Sequence, residues 1–518
     1  MRVATVRRQL LAAVALAVAV FLLVLFAPIG ERDHVPALAP AARDPSDIQV
    51  PDGYQVELVI AGLTAATTCR FDAEGYLHIC EAGYGPIPGR ILKLTAPGKL
   101  AVVASGFVPP LNGLAFYRDG IYVSHRGRIS SVGADGHITD IVTGLPSLGD
   151  HQNNMLAIGP DGKLYFGQGT ATNSGIVGVD NYMAGWLRHY PFLSDYPARD
   201  VKVNAVKVTS DNPLSREPGD TVETGALKPF GVQSKRLEII PGAARPNGVV
   251  FRASTDGSGL EVFAWGLRNP FGIGFTADGR LYVTEHGFDV RGSRPIANTP
   301  DFFYLVEQGK WYGWPDFAGG VAVTDPRFAA PGDKLPGLLL ATHPLRQPPH
   351  PKAEFAVHAG ANGFAFSSGD PFGFLGDAFV ALFGDITPLS VATTSPSGHR
   401  VAVVDMKTGE VSTFAANRQA GPASLAGHGG LERPTDCTFG PDGALYITDW
   451  GQARLTAHGL EPVPGTGAVW KIYKQGTQPQ VPVSKARKVG GNSLLLAILA
   501  LLLTFVLTVQ ARRNRQAR

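Results

Sequence analysis

One unit recurs six times in this chain, and it limits what the chain can fold into. The unit is an apolar strand, a turn often made by Asp-Gly, and a second apolar strand. Copies begin at Cys69-Arg70-Phe71, Leu114-Ala115-Phe116, Leu156-Ala157-Ile158, Ile273-Gly274-Phe275, Gly363-Phe364-Ala365 and Cys437-Thr438-Phe439. In the fourth copy, Asp278-Gly279 is flanked by alternating apolar residues, a strong short-range signal for a hairpin with a two-residue turn. Further strands such as Arg90 to Leu94 and Ala101 to Ala104 follow the hairpins, giving four strands per unit. Four-stranded units repeating every roughly 40 residues or more specify blades around an axis. The expected fold is therefore all-β, a six-bladed β-propeller. Tyr54 to Val59 precedes the first hairpin without a blade of its own, while Gly467 to Ile472 ends the sixth blade one strand short. The N-terminal strand should complete the last blade and remove its open edge.

The same alignment bears on the three cysteines, Cys69, Cys80 and Cys437. With a two-residue turn at Glu74-Gly75, Cys69 and Cys80 fall opposite each other, where Cα separations of about 4.5 to 5.5 Å permit a disulfide. Three small core residues are the alternative. Cys437, opposite Thr448 in this register, is expected as a buried free thiol.

Composition narrows the function classes. Charged residues make up 17% of the 518, with a net charge of +3, which gives no polyanion-binding signature and argues against nucleic acid. Both ends carry apolar runs, Gln9 to Ile29 and Ser493 to Gln510, each near the roughly 20 residues that a spanning helix needs. Basic residues flank both on the terminal side, so both termini are expected in the cytoplasm and the region between on the periplasmic or extracellular side. A cleaved signal peptide is the alternative for the first run, although no A-x-A site follows it directly. The resulting division is a membrane segment over 1–30, a Pro/Ala-rich linker over 31–50, the propeller over 51–475, a linker over 476–492, a transmembrane helix over 493–510 and a basic tail over 511–518. An insertion over about 170–246 interrupts the repeat, and loops of that length are usually functional. Residues 288–301 and 331–351 are read as further insertions.

In a propeller the innermost strand of each blade begins at one mouth of the channel. Asn112, His151 to Asn154, Arg268-Asn269, His358 to Asn362 and Arg433 to Asp436 should then share that mouth. Asn112 and Asn362 are expected to satisfy corner backbone groups. His151 and Arg268 are different, because an imidazole can remove a proton and a guanidinium can hold an anion. Arg291 and Arg294 are expected as solvated loop charges.

Asp150-His151-Gln152, Gly266 to Pro270, Glu285-His286-Gly287, Trp311 to Pro315 and the Asp-Gly hairpins together resemble the glucose/sorbosone dehydrogenase family, most closely its sorbosone branch. The resemblance implies a propeller enzyme that oxidises sugars with pyrroloquinoline quinone (PQQ) and Ca2+, passing electrons to a separate acceptor, a quinone or a cytochrome. It implies His151 as general base, Gln152, Arg268, Asn269 and Arg433 as cofactor-binding residues, and Gly287, Phe288 and Asp301 at the calcium site. The chain departs from the family in lacking a fifth-blade Lys, in having Thr435 where a second sixth-blade Arg is usual, and in having Phe288 for Pro. Two other activities fit the same architecture: a calcium-dependent lactone hydrolase, and an inactive propeller used as a membrane-anchored binding platform.

Overall fold

The computed structural model describes residues 43–118, 120–332, 334–386, 396–427, 429–456 and 459–476, so both apolar terminal runs lie outside the described residues. No helix among the described residues is long and apolar enough to cross a membrane. The second strand in five of the six hairpins explains the architecture. Leu77–Glu81, Leu164–Gln168, Leu281–Glu285, Ala378–Leu382 and Leu445–Asp449 are buried at every position. A strand buried on both faces must be sandwiched between neighbouring sheets, and radially packed blades provide that sandwich.

Six four-stranded antiparallel blades result. The first runs from Ala66–Phe71 through Leu77–Glu81 and Gly89–Ala96 to Lys99–Phe107, and the second from Leu111–Tyr117 to Ile138–Val142. The third pairs Asn153–Ile158, Leu164–Gln168, Val249–Ala253 and Glu261–Trp265, leaving a long excursion between its second and third strands. The fourth pairs Pro270–Phe275, Leu281–Glu285, Pro300–Val306 and Ala353–Val357. The fifth pairs Ala361–Phe366, Ala378–Leu382, Arg400–Val404 and Val411–Asn417, and Ile48–Gln49, within the stretch read as linker, adds a fifth strand at its outer edge. In the sixth, Pro434–Phe439, Leu445–Asp449 and Gly467–Lys474 are completed by Tyr54–Leu63, the closing strand expected from sequence.

Blades five and six meet through an aromatic seam. Phe379 and Phe372, both of blade five, meet Phe439 of blade six at 5.7 Å and 5.1 Å, each close to a right angle. Edge-to-face pairs of this kind add about 0.5–1.5 kcal/mol each beyond area burial.

Turn chemistry corrects the expected register. In the fourth hairpin Thr276 N donates to the Arg280 carbonyl at 2.9 Å and Gly279 takes φ +83°, so three residues, not two, connect the strands. This is a type I turn closed by a left-handed glycine. Gly75, Gly162 and Gly443 repeat it, with φ of 83°, 73° and 74°. One extra loop residue shifts the pairing by one and exchanges the faces. Cys69 therefore pairs with Ile79 and Cys80 with Thr68, and Cys437 pairs with Ile447 rather than Thr448. Cys69 and Cys80 point to opposite faces and pack into different clusters, and all three cysteines are free and buried. Thiol titration under non-reducing conditions should find none reactive in the native protein and three after denaturation; a single thiol after denaturation would contradict this register.

Candidate active site

The last residue of the second strand organises the entry corners of blades one, four and six. Glu285 accepts the backbone N–H of Arg268, and of Asn269 at 3.2 Å. Asp449 does the same for Glu432 at 2.8 Å and Arg433 at 2.9 Å, and Glu81 accepts Thr64 N at 2.7 Å. A carboxylate thus supplies the acceptors that an irregular corner lacks. These acids occupy equivalent positions in the repeat, four residues after Leu77, Leu281 and Leu445, so the repeat itself carries the signal that finds them. Burial pushes the Glu285 carboxyl up to about 8, against the downward pull of its backbone donors and of Arg268.

The third blade's entry holds His151. Its backbone N–H donates to the Thr170 carbonyl at 3.1 Å, and Thr170 N donates in turn to the Arg268 carbonyl at 2.8 Å. One short segment therefore fixes the entries of blades three and four together. The imidazole Nδ1 lies 3.0 Å from the same Thr170 carbonyl, which can only accept. Nδ1 must carry the proton, and the lone pair is on Nε2, which has no hydrogen-bond partner among the described residues. Burial above all, then the positive charges of Arg268 and Arg291 and a smaller effect of His286, holds the imidazole pKa well below 6.5. Gly169 permits this placement: a Cβ there would lie 2.4 Å from the His151 Cβ and 2.6 Å from Asn269 Oδ1.

The other expected site residues divide into free and committed groups. Arg268 is nearly sealed: Nε donates to the Asn173 carbonyl at 3.0 Å, and Nη2 donates to Asn173 Oδ1 at 2.9 Å and Asp289 at 2.8 Å. Its Nη1 has no partner among the described residues, nor does the side-chain amide of Gln152. Arg433 donates Nη1 to the Asp385 carbonyl at 2.9 Å and stacks 5.0 Å from the Phe383 ring, leaving Nε buried without a partner. Asn269 is committed: Oδ1 accepts from Asn154 at 2.7 Å and Nδ2 donates to His286 Nδ1 at 2.9 Å. His286 Nε2 passes the chain on to the Ala361 carbonyl and Asn362 Oδ1, both at 3.0 Å. Asn112 bonds a backbone carbonyl as expected, but the Asn362 side chain serves this network instead.

Of the three expected calcium ligands, Asp301 and the Phe288 carbonyl are committed. Asp301 accepts Gly287 N at 2.9 Å through one oxygen and Ala361 N at 2.8 Å through the other, tying blade four to blade five. The Phe288 carbonyl accepts the Thr299 hydroxyl at 2.7 Å. No group of three or more His, Cys, Asp or Glu able to hold a metal occurs among the described residues. A hard cation wants six to eight oxygens, and this donor set does not fit one.

Sequence reasoning also missed the strap of residues over the site. Arg291 and Arg294 are not solvated. Arg291 donates to Asp150 and Asp180, each at 2.8 Å, and to Asp289 at 3.1 Å. Arg294 is buried, donating to the Ser174, Pro315 and Gly337 carbonyls and to Asp316. Trp311 packs against Gly266, where a Cβ would come within 2.1 Å of its ring, and Trp314 N donates to the Gly266 carbonyl at 2.7 Å. The motif 311–315 thus braces the corner that carries Arg268. At the opposite end of the channel the inner strands leave a cavity of about 340 Å³ lined by Arg70 and by Phe71, Phe116, Phe275 and Phe366, away from His151.

Comparison with known proteins agrees with this architecture. Residues 233–384 match the model of the family described as Glucose / Sorbosone dehydrogenase. Over 180 residues the chain is 27% identical to quinoprotein glucose dehydrogenase B of Acinetobacter calcoaceticus, a match covering 35% of this chain and 29% of that protein's length. The holo PQQ domain of a pyranose dehydrogenase from Coprinopsis cinerea shares the fold, with a TM-score of 0.52 and 18% identity over 84% of this chain and 99% of that one. The PQQ-bound aldose sugar dehydrogenase of Streptomyces coelicolor aligns at a TM-score of 0.47 and 16% identity, over 82% and 99% of the two chains.

Two substitutions check the corner. Glu285→Ala strands two buried N–H groups and should lower unfolding free energy by about 2–5 kcal/mol in denaturant titration, with Glu285→Gln losing about half as much. Gly169→Ala should displace the imidazole and reduce any His151-dependent turnover far more than it reduces Tm.

Proposed function

We propose that this chain, whose residues 233–384 match the glucose/sorbosone dehydrogenase family, is an oxidoreductase that oxidises the C1 hydroxyl of an aldose or a related hydroxy compound with PQQ. The observation that carries this reading is the neutral His151 imidazole, with Nδ1–H spent on the Thr170 carbonyl and the Nε2 lone pair unspent. The unpaired donors at this face, Gln152, Arg268 Nη1 and Arg433 Nε, suit a planar polycarboxylate, and the buried Arg433 Nε in particular lacks an acceptor that a carboxylate would provide. When bound, PQQ would supply the two-electron acceptor for the hydride leaving C1.

The protein's own contribution follows from its geometry. His151 Nε2 removes the hydroxyl proton as the C1–H bond breaks, and the product is the lactone. The Thr170 carbonyl holds the ring in the tautomer that keeps Nε2 basic, and it orients the ring without adding charge. Arg268, fixed by Asn173 and Asp289, offers one N–H to an anionic group, and the neighbouring guanidiniums keep the imidazole deprotonated before the reaction. Asn269 acts at one remove, holding His286 and the blade-five entry in register. Electrons would leave to a separate acceptor. The apolar runs at 9–29 and 493–510 would anchor the chain with the propeller on the periplasmic or extracellular side.

Reconstitution with PQQ and an artificial dye acceptor across a sugar panel tests this. Turnover is expected, and His151→Ala should cost about 10²–10⁴ in kcat/KM. No turnover on any sugar, or full activity in His151→Ala, would refute it. Because the base is already neutral near pH 7, kcat/KM should stay flat as pH falls through 6.5 and drop only well below it. A profile breaking at 6.5 would mean that the imidazole is not in this environment.

A further inference from the structure

Arg291 lies in the loop between the second and third strands of blade four, and three of its nitrogens each meet a different segment. Nη2 binds Asp150, which directly precedes His151; Nη1 binds Asp180 in the long excursion of blade three; Nε binds Asp289. Asp289 is shared, since its carboxylate also holds Arg268 and lies 3.6 Å from His358. The loop is clamped from the other side by Asn173, whose amide nitrogen donates to the Asp289 carbonyl at 2.8 Å and to the Arg291 carbonyl at 3.2 Å, while its oxygen accepts Asp289 N at 2.9 Å. The Arg291 side chain keeps only 23% of its surface exposed. The guanidinium is thus the common counter-ion of a three-carboxylate cluster next to the base.

Three carboxylates held around one point beside a catalytic mouth repel one another unless a cation stands between them. Of the groups that the family resemblance assigns to calcium, the Phe288 carbonyl is instead committed to Thr299 and Asp301 to two backbone N–H groups. We infer that Arg291 is a built-in replacement for a metal ion: a fixed monocation shared by Asp150, Asp180 and Asp289, with Arg268 as a second cation on Asp289, so that this mouth assembles and works without calcium. The part concerning the working mouth rests on the dehydrogenase reading; the part concerning assembly does not.

The test begins with full-length protein purified through chelator. Calorimetric titration with calcium chloride should give no saturable heat, and neither chelator nor millimolar calcium should move Tm. In Arg291→Ala the carboxylates lose their counter-ion, Tm should fall by several degrees, and added calcium should now bind and restore part of the loss. Arg291→Lys keeps a cation and should remain indifferent to calcium. Stoichiometric calcium binding by the wild type, or a Tm that falls with chelator, overturns the inference, as does an Arg291→Ala protein whose Tm ignores calcium. If Arg291→Ala does not fold, Arg291→Gln replaces it and the wild-type titration stands alone as a decisive arm. Turnover with PQQ and dye, measured in chelator and in calcium, separates the two ideas. Activity only with calcium sinks this inference and keeps the dehydrogenase; activity in neither sinks the dehydrogenase and leaves the metal titration to decide the role of Arg291.

Discussion

The structure depends on one antiparallel pairing, that of Tyr54–Leu63 with Gly467–Lys474. Without it the sixth blade would expose an edge and the ring would be an open arc. With it, the inner strands encircle one axis, and the entry corners of blades three to six are brought to one face. The pairing joins residues more than 400 positions apart, so it is bought late in folding, after the local hairpins exist. The site inherits that dependence, because no single blade contains it.

At the mouth, the division between free and committed groups matters more than the inventory of residue types. Asn269, Asp301 and the Phe288 carbonyl belong to the load paths between blades, whereas His151 Nε2, the Gln152 amide and single nitrogens of Arg268 and Arg433 are left over. Of these, Arg433 Nε is fully buried, and a buried polar group without a partner is costly. These unspent groups near the entry corners are where a ligand has something to offer. Arg291 belongs to the committed set, although its charge is felt at His151.

Much of this was legible in the sequence. Six hairpins, their four-stranded spacing and the displaced closing strand follow from hydrophobic periodicity and turn residues, which are local. The grouping of His151 with Arg268 follows once strand entries are assigned to one end. The register of Cys69 and Cys80 did not follow, because Asp-Gly is compatible with either a two-residue or a three-residue loop and only the backbone torsion of Gly75 distinguishes them. Arg291 was misread for a different reason. Its partners Asp150 and Asp180 are over 100 residues away, and no local pattern marks a charge as paired. The corner carboxylates Glu81, Glu285 and Asp449 were readable from the repeat, but only by asking which groups would satisfy the corner amides.

The short strand Ile48–Gln49 on the edge of blade five has a mechanical meaning. Tyr54 faces Lys474 across the closing pair, and Gln475 N bonds the Gly53 carbonyl at 2.7 Å, so both chain tails leave from the same end of that ladder. Tension pulling the tails apart would peel such a ladder one rung at a time, the weakest loading geometry an antiparallel pair has. Ile48–Gln49, paired with Asn417 and Ala416 and reinforced by Asp44 N on the Gly429 carbonyl, would take such a load first and divert it into blade five. Under tension, two residues of β-structure would act as strain relief for the seam that closes the ring.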